Sequence, residues 1–138
     1  MSELFDTSAL ILAARHTSAA DGLREAIAAG GLAVTDIVVV EYLNGARNLV
    51  EYDRFAWSLG AADRLQTEPA DWDRVLQVHR MLAASGPGHQ RSVSVPDLLI
   101  AAVAERHGAT LVHYDEDYER IAALTGQPTR WVVPRGSA

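Results

Sequence analysis

The chain reads as an α/β fold in which a doubly wound parallel sheet is built from short strands with helices between them. Short apolar runs of strand character, Glu3-Leu4-Phe5, Leu32-Ala33-Val34-Thr35, Thr110-Leu111-Val112 and Trp131-Val132-Val133, alternate with longer segments of helical spacing. Two of the runs end in an acid, at Asp6 and in His113-Tyr114-Asp115-Glu116-Asp117, and pass straight into helical sequence. That places carboxylates at the carboxyl edge of the sheet, where open α/β folds bind ligands.

In chain order, Asp6 stands at the tip of the first strand, and Thr7-Ser8 offer cap chemistry for a buried helix over Ala9 to Ala14. Ala19 to Ala29 is a second helix, stopped at Gly30-Gly31, and the strand over 32–35 follows. Asp36 to Ala46 has the β-branched run of a strand but the length and leading Asp of a helix. We read a helix, whose apolar surround would carry Glu41 into the interior. Leu49 to Leu59 places Leu49, Tyr52, Phe55, Ala56 and Leu59 on one stripe, with Val50 and Trp57 on a narrower one. These stripes serve either the core or, at Trp57, a partner surface.

Glu68-Pro69-Ala70 opens a helix with Trp72, Val75, Leu76, His79, Leu82 and Ala83 on its apolar face. Ser85 to Ser92 is a polar Gly/Pro loop with the character of a flap, and Ser94 caps an all-round apolar, buried helix that ends near Gly108. Glu116 to Leu124 is the last helix, closed by Gly126.

At 138 residues this is one domain, 1–138, large enough to fold without a staple. The absence of cysteine removes disulfides, thiol nucleophiles and cysteine-ligated metals, and fits a reducing, cytoplasmic setting. No signal-like segment opens the chain and no run approaches a membrane span, so a soluble protein is expected. All 12 basic residues are Arg, which removes P-loop binding and Schiff-base chemistry. The formal charge of −6 argues against a basic groove for nucleic acid, although acids gathered around a cation present much less negative field to a phosphate.

Asp6, Glu41, Asp97 and Asp115 are the acids a doubly wound sheet would collect at one edge. Each also has a local role open to it: Asp6 and Asp115 as helix caps, and Asp97 in a capping box with Ser94. Glu41 among Val38, Val39, Val40, Tyr42 and Leu43 is expensive to bury unpaired. Two carboxylates ~4 Å apart repel by about 4 kcal/mol at an effective dielectric near 20, so several together need a cation or a proton. All-oxygen ligation suits Mg²⁺ or Mn²⁺, and such a site hydrolyses phosphodiesters without a side-chain nucleophile.

With these residues in hand the chain resembles the PIN-domain family, and within it the VapC-type toxin ribonucleases of toxin–antitoxin pairs. The resemblance rests on Asp6-Thr7-Ser8-Ala9-Leu10, Val40-Glu41-Tyr42-Leu43-Asn44-Gly45-Ala46, Pro96-Asp97-Leu98-Leu99-Ile100-Ala101-Ala102 and Thr110 to Tyr118, four motifs in order over nearly the whole chain. It implies a three-layer α/β/α sandwich on a central parallel sheet, Mg²⁺- or Mn²⁺-dependent endoribonuclease activity, frequent homodimerisation, and inhibition by a cognate antitoxin. Carried across, Asp6, Glu41, Asp97 and Asp115 are the metal-binding catalytic acids, Asp117 a further acid, and Ser8 a supporting hydrogen-bonding residue. The chain departs from the family at His113, where Thr or Ser is usual, so that an imidazole replaces a hydroxyl near the metal. It departs more mildly at Tyr118, where Phe is usual.

The leading expectation is therefore a metal-dependent endoribonuclease toxin. The alternative is a non-catalytic PIN-like module binding RNA or protein, and a DNA-directed flap nuclease is disfavoured by the short chain. Arg15, Arg47 and Arg91 are the candidates for RNA contact, and Tyr52, Phe55 and Trp57, within Leu49 to Leu65, those for the protein partner.

Overall fold

The computed structural model describes residues 2–138. Strands β1 (Glu3–Phe5), β2 (Leu32–Thr35), β3 (Asp63–Leu65), β4 (Thr110–His113) and β5 (Thr129–Trp131) form one sheet in the order β3-β2-β1-β4-β5, every neighbouring pair parallel. The connecting helices are α1 (Thr7–Ala13), α2 (Thr17–Ala28), α3 (Asp36–Asn44), α4 (Leu49–Leu59), α5 (Pro69–Ser85), α6 (Val95–Arg106) and α7 (Glu116–Thr125). Consecutive strand residues face opposite sides of a sheet, and Leu4 with Phe5, and Leu111 with Val112, are wholly buried. Helices therefore cover both faces, which gives the expected three layers.

The chain works outward from β1 to β2 and β3, then returns to the other flank of β1 for β4 and β5. The strand order thus reverses between β1 and β4, and their carboxyl ends form the crevice in which such sheets bind ligands. Helix α6 is buried from Leu98 to Ala104, as its apolar circumference requires. It is anchored at its far end by Arg106, which donates to both carboxylate oxygens of Asp71 at 2.8 and 3.0 Å and to the Gln66 carbonyl at 2.9 Å.

Several elements differ from the expectation, each for a local reason. Strand β3 was not foreseen, because Asp63-Arg64-Leu65 is an exposed edge with no apolar run. It is held to β2 by pairing and to α3 through Asp36, which accepts from Arg64 at 2.6 Å and from the Thr67 amide at 3.0 Å. Asp36 is therefore no cap; the hydroxyl of Thr35 caps α3. Likewise Asp6, and not Thr7 or Ser8, caps α1, which frees the two hydroxyls for other partners. The last strand lies two residues earlier than expected, since its register against β4 pairs Leu111 with Thr129 and His113 with Trp131.

Helix α5 is rotated from the expected face, burying Asp71, Val75, Val78 and Leu82 and leaving Trp72 and Leu76 exposed, because the Arg106 clamp draws Asp71 inward. The expected flap contains a 3-10 turn over His89–Ser92.

The stripes of α4 lie largely outside the core, with Leu59 packing against it and Phe55 half-buried against Tyr42. Its one buried residue is Glu51, held by Arg47, while Leu49, Val50, Tyr52 and Trp57 are exposed, Trp57 by 85%. Among the described residues no helix is long and apolar enough to cross a membrane.

Candidate active site

At the β1–β4 crevice one carboxylate oxygen each from Asp97, Asp115 and Asp117 lie within 4.8 Å of one another. The fold places each by a backbone constraint. Asp97 sits in the first turn of α6 behind Pro96, its amide donating to the Ser94 hydroxyl at 3.3 Å. Asp115 caps α7, accepting from the Asp117 amide at 2.9 Å through Oδ1, and Asp117 lies in the first turn of that helix. The local cap roles open to Asp115 and to Ser94 are thus real, yet they also fix where the acids stand. The capping box is only half formed, since the Asp97 carboxyl accepts from Tyr118 instead.

Close approach has an electrostatic cost that shows at Asp97. Its carboxyl is pushed up to about 7, by burial first and then by the adjoining carboxyl of Asp117 and the charge of Asp115, against the Tyr118 and Ser94 hydroxyls that hold it down. Asp117 also accepts from Arg120, one turn further along α7, at 2.9 Å, which brings a cation to the edge of the trio.

Asp6 and Glu41 are not in this trio. Asp6 is buried beneath it, with Oδ1 and Oδ2 accepting from the Ser8 hydroxyl at 2.7 and 2.8 Å and Oδ1 from the Ala9 amide at 3.0 Å. Its pKa is raised by burial against these donors, the Tyr118 hydroxyl among them. Ser8 has the supporting contact expected of it and a second one, accepting the Tyr114 amide at 2.9 Å, so that one hydroxyl ties the tip of β1 to the tip of β4. Glu41 is only partly buried, not carried into the interior, and accepts from Thr7 at 2.8 Å. From α3 it lines a cleft of ≈ 510 Å³ together with Arg15, Tyr42, Arg47 and Phe55. Arg15 and Arg47 therefore stand on that cleft, Arg47 already engaged with Glu51 at 2.9 Å, and Arg91 is exposed next to Gly88.

His113 and Tyr118, the two positions read from the sequence as departures from the family pattern, differ in what they reach. His113 is not in the acid trio: it is fully buried, its ring tilted against those of Trp131 and Tyr118 with centroids 4.8 and 5.2 Å apart. Its Nδ1 accepts from the Asp115 amide at 3.1 Å, which puts the ring proton on Nε2, facing Glu119 Oε1 at 2.8 Å. It steadies the backbone of an acid from behind. Tyr118 is the less mild change, because its hydroxyl reaches the acids themselves, donating to Asp97 at 3.0 Å. Burial, and then the charges of Asp6 and Asp97, push this phenol well above its ordinary range, so it remains a donor.

A PIN domain family model matches residues 4–124. The chain belongs to the PIN-domain family. Among curated relatives of this PIN domain, Ribonuclease VapC18 of Mycobacterium tuberculosis is 43% identical over 132 residues, 96% of each chain. Ribonuclease VapC51 of the same organism is 43% identical over 109 residues, covering 79% of this chain and 77% of the relative. Among solved structures, VapBC2 from Rickettsia felis bound to a promoter DNA fragment matches with a TM-score of 0.77 at 17% identity, covering 95% of this chain and 98% of that one. DNA-bound VapBC from Salmonella typhimurium matches with a TM-score of 0.74 at 18% identity, covering 96% and 100%. These structural likenesses bear on the fold of the PIN domain, and the sequence relatives on its family.

Proposed function

We propose that this PIN domain is a Mg²⁺- or Mn²⁺-dependent endoribonuclease, the toxin of a toxin–antitoxin pair. The observation that carries the reading is the trio Asp97, Asp115 and Asp117, with one oxygen from each within 4.8 Å and Asp97 pushed up to about 7. Three hard oxygen donors held together against their own repulsion fit a divalent cation that keeps part of its water shell. Such an ion, when bound, supplies Lewis-acid activation of water and neutralises charge on a phosphodiester.

In this reading Asp97, Asp115 and Asp117 hold the ion, and Asp117 takes a larger share than the sequence suggested. Asp6 acts from beneath, keeping Ser8 and the tips of β1 and β4 in place, and Glu41 acts at the neighbouring cleft. His113 fixes the Asp115 backbone and Tyr118 orients Asp97. Relatives named as ribonucleases at 43% identity over most of the chain support RNA as the substrate. The structural likeness to VapBC complexes supports a protein antitoxin, which would cover the exposed apolar residues of α4, Tyr52 and Trp57, with Phe55 beside them. The reading includes a homodimer acting in the cytoplasm.

The test is RNA cleavage by the purified chain with Mg²⁺, Mn²⁺ or EDTA. Cleavage that needs the metal and is lost in Asp6→Asn and Asp115→Asn supports the reading. A chain that binds RNA unchanged by metal and never cuts it would be the non-catalytic module instead.

A further inference from the structure

A cavity of ≈ 350 Å³ lies between the end of α5, the 3-10 turn and α7. Arg120 is a wall of this cavity and also the partner of Asp117, and the same Nη1 donates to the Ser92 carbonyl at 3.4 Å. The cavity therefore adjoins the acid trio through one side chain. Its floor is apolar, from the buried Leu82 and half-buried Leu124, and its exposed rim carries Ala123 beside the polar Ser85, His89 and Ser92.

The rim is built rather than incidental. The Ser85 hydroxyl donates to the Leu82 carbonyl at 2.6 Å, so it can only accept from Nδ1 of His89, 3.1 Å away. That leaves Nε2 of His89 as an acceptor. Gly86 makes room for the ring: a Cβ there would lie 2.5 Å from Cε1 and 2.7 Å from Nε2 of the imidazole. An apolar floor that takes a flat face, edge groups that take hydrogen bonds and a guanidinium on the side of the catalytic acids together match a nucleobase and its phosphate.

We propose that this cavity is a nucleotide subsite, holding the base next to the phosphate that is cut, with Arg120 steering that phosphate toward the trio. The proposal rests on the ribonuclease reading above and adds residues for substrate contact that the sequence had not suggested: His89, Ser85 and Arg120. An arginine already paired with an acid of the site adds no new charge to it, yet on RNA binding it can share its remaining donors with phosphate oxygens.

The test is Ala123→Trp, which fills the cavity from an exposed position of α7, and Gly86→Ala, which displaces His89 without removing a polar group. Binding is measured by fluorescence anisotropy with a fluorescein-labelled single-stranded RNA pool of random sequence in EDTA, beside Mn²⁺ calorimetry and steady-state cleavage. Loss of one base stack predicts a Kd and KM raised about ten-fold in Ala123→Trp and less in Gly86→Ala. Mn²⁺ affinity and kcat should stay unchanged. Unchanged RNA affinity in both variants overturns the subsite while leaving the ribonuclease reading standing. A wild-type chain that binds Mn²⁺ but neither binds nor cuts RNA overturns both.

Discussion

The hydroxyl of Tyr118 donates to Oδ1 of Asp97 at 3.0 Å, from a ring that solvent does not reach. This contact joins α7 to the N-terminus of α6 and holds the Asp97 carboxyl down against burial. A hydrogen bond to a charged group contributes about 1.5–3 kcal/mol. In Tyr118→Phe the ring packing survives and the donor is lost, so Asp97 should bind its proton more tightly and Mn²⁺ affinity at neutral pH should fall roughly ten-fold. Calorimetry checks this, and a Tm close to wild type shows that packing is intact.

The same carboxyl makes the metal-free protein sensitive to pH in a defined direction. Asp97 lies at about 7 in the folded chain against an ordinary 3.8. Well below the lower value both states hold the proton and Asp97 contributes nothing. Between the two values the folded state alone keeps it, so stability falls as pH rises through the window and levels off above the upper one. Thermal melts in EDTA should show that slope, Asp97→Asn should flatten it, and Mn²⁺ should reverse it by replacing the proton.

Arg106 and Asp71 give a prediction about the fold alone. Burial pushes the Asp71 carboxyl up, but the Arg106 guanidinium and the Glu68 amide overcome this and hold it below its ordinary range. Removing one partner of such a pair strands the other, at a cost of about 3–5 kcal/mol when it is buried. Arg106→Ala should lower the urea midpoint accordingly while leaving Mn²⁺ affinity at low temperature unchanged.

Trp57 is 85% exposed on α4 and no part of the acid site. Large exposed aromatics act as anchors when a partner covers them, and truncating an anchor costs about 2 kcal/mol or more. Trp57→Ala should weaken neutralisation by the antitoxin while cleavage by the free chain is unchanged, measured by titrating the antitoxin against cleavage.

What the sequence made legible follows from where its signals are local. A strand ending in an acid before a helix is visible in Phe5-Asp6 and in the run to Asp115, and both acids stand at the β1–β4 crevice. The Asp97 helix declared itself by Ser94, Pro96 and an apolar circumference. What stayed hidden depends on tertiary pairing. Strand β3 has no apolar pattern and exists through its register with β2. Glu41 looked buried from its neighbours in sequence, but a helix has an outer face, and the hydroxyl of Thr7 meets it there. Asp117 and Arg120 are one turn apart on α7, and a possible (i, i+3) pair was readable; its place beside Asp97 was not. The ring of His113 turns inward to Trp131 and Glu119, partners set by packing that its place in the motif does not disclose.

The measurement that bears most directly on the central claim is calorimetric titration of Mn²⁺ into the wild-type chain, Asp97→Asn and Asp115→Asn at neutral pH, in buffers of different ionisation enthalpy. Saturable binding to wild type with proton release from Asp97 is expected, and loss of that binding in both variants without loss of fold. Absence of binding to wild type, or binding that survives both substitutions, would contradict a metal site at Asp97, Asp115 and Asp117.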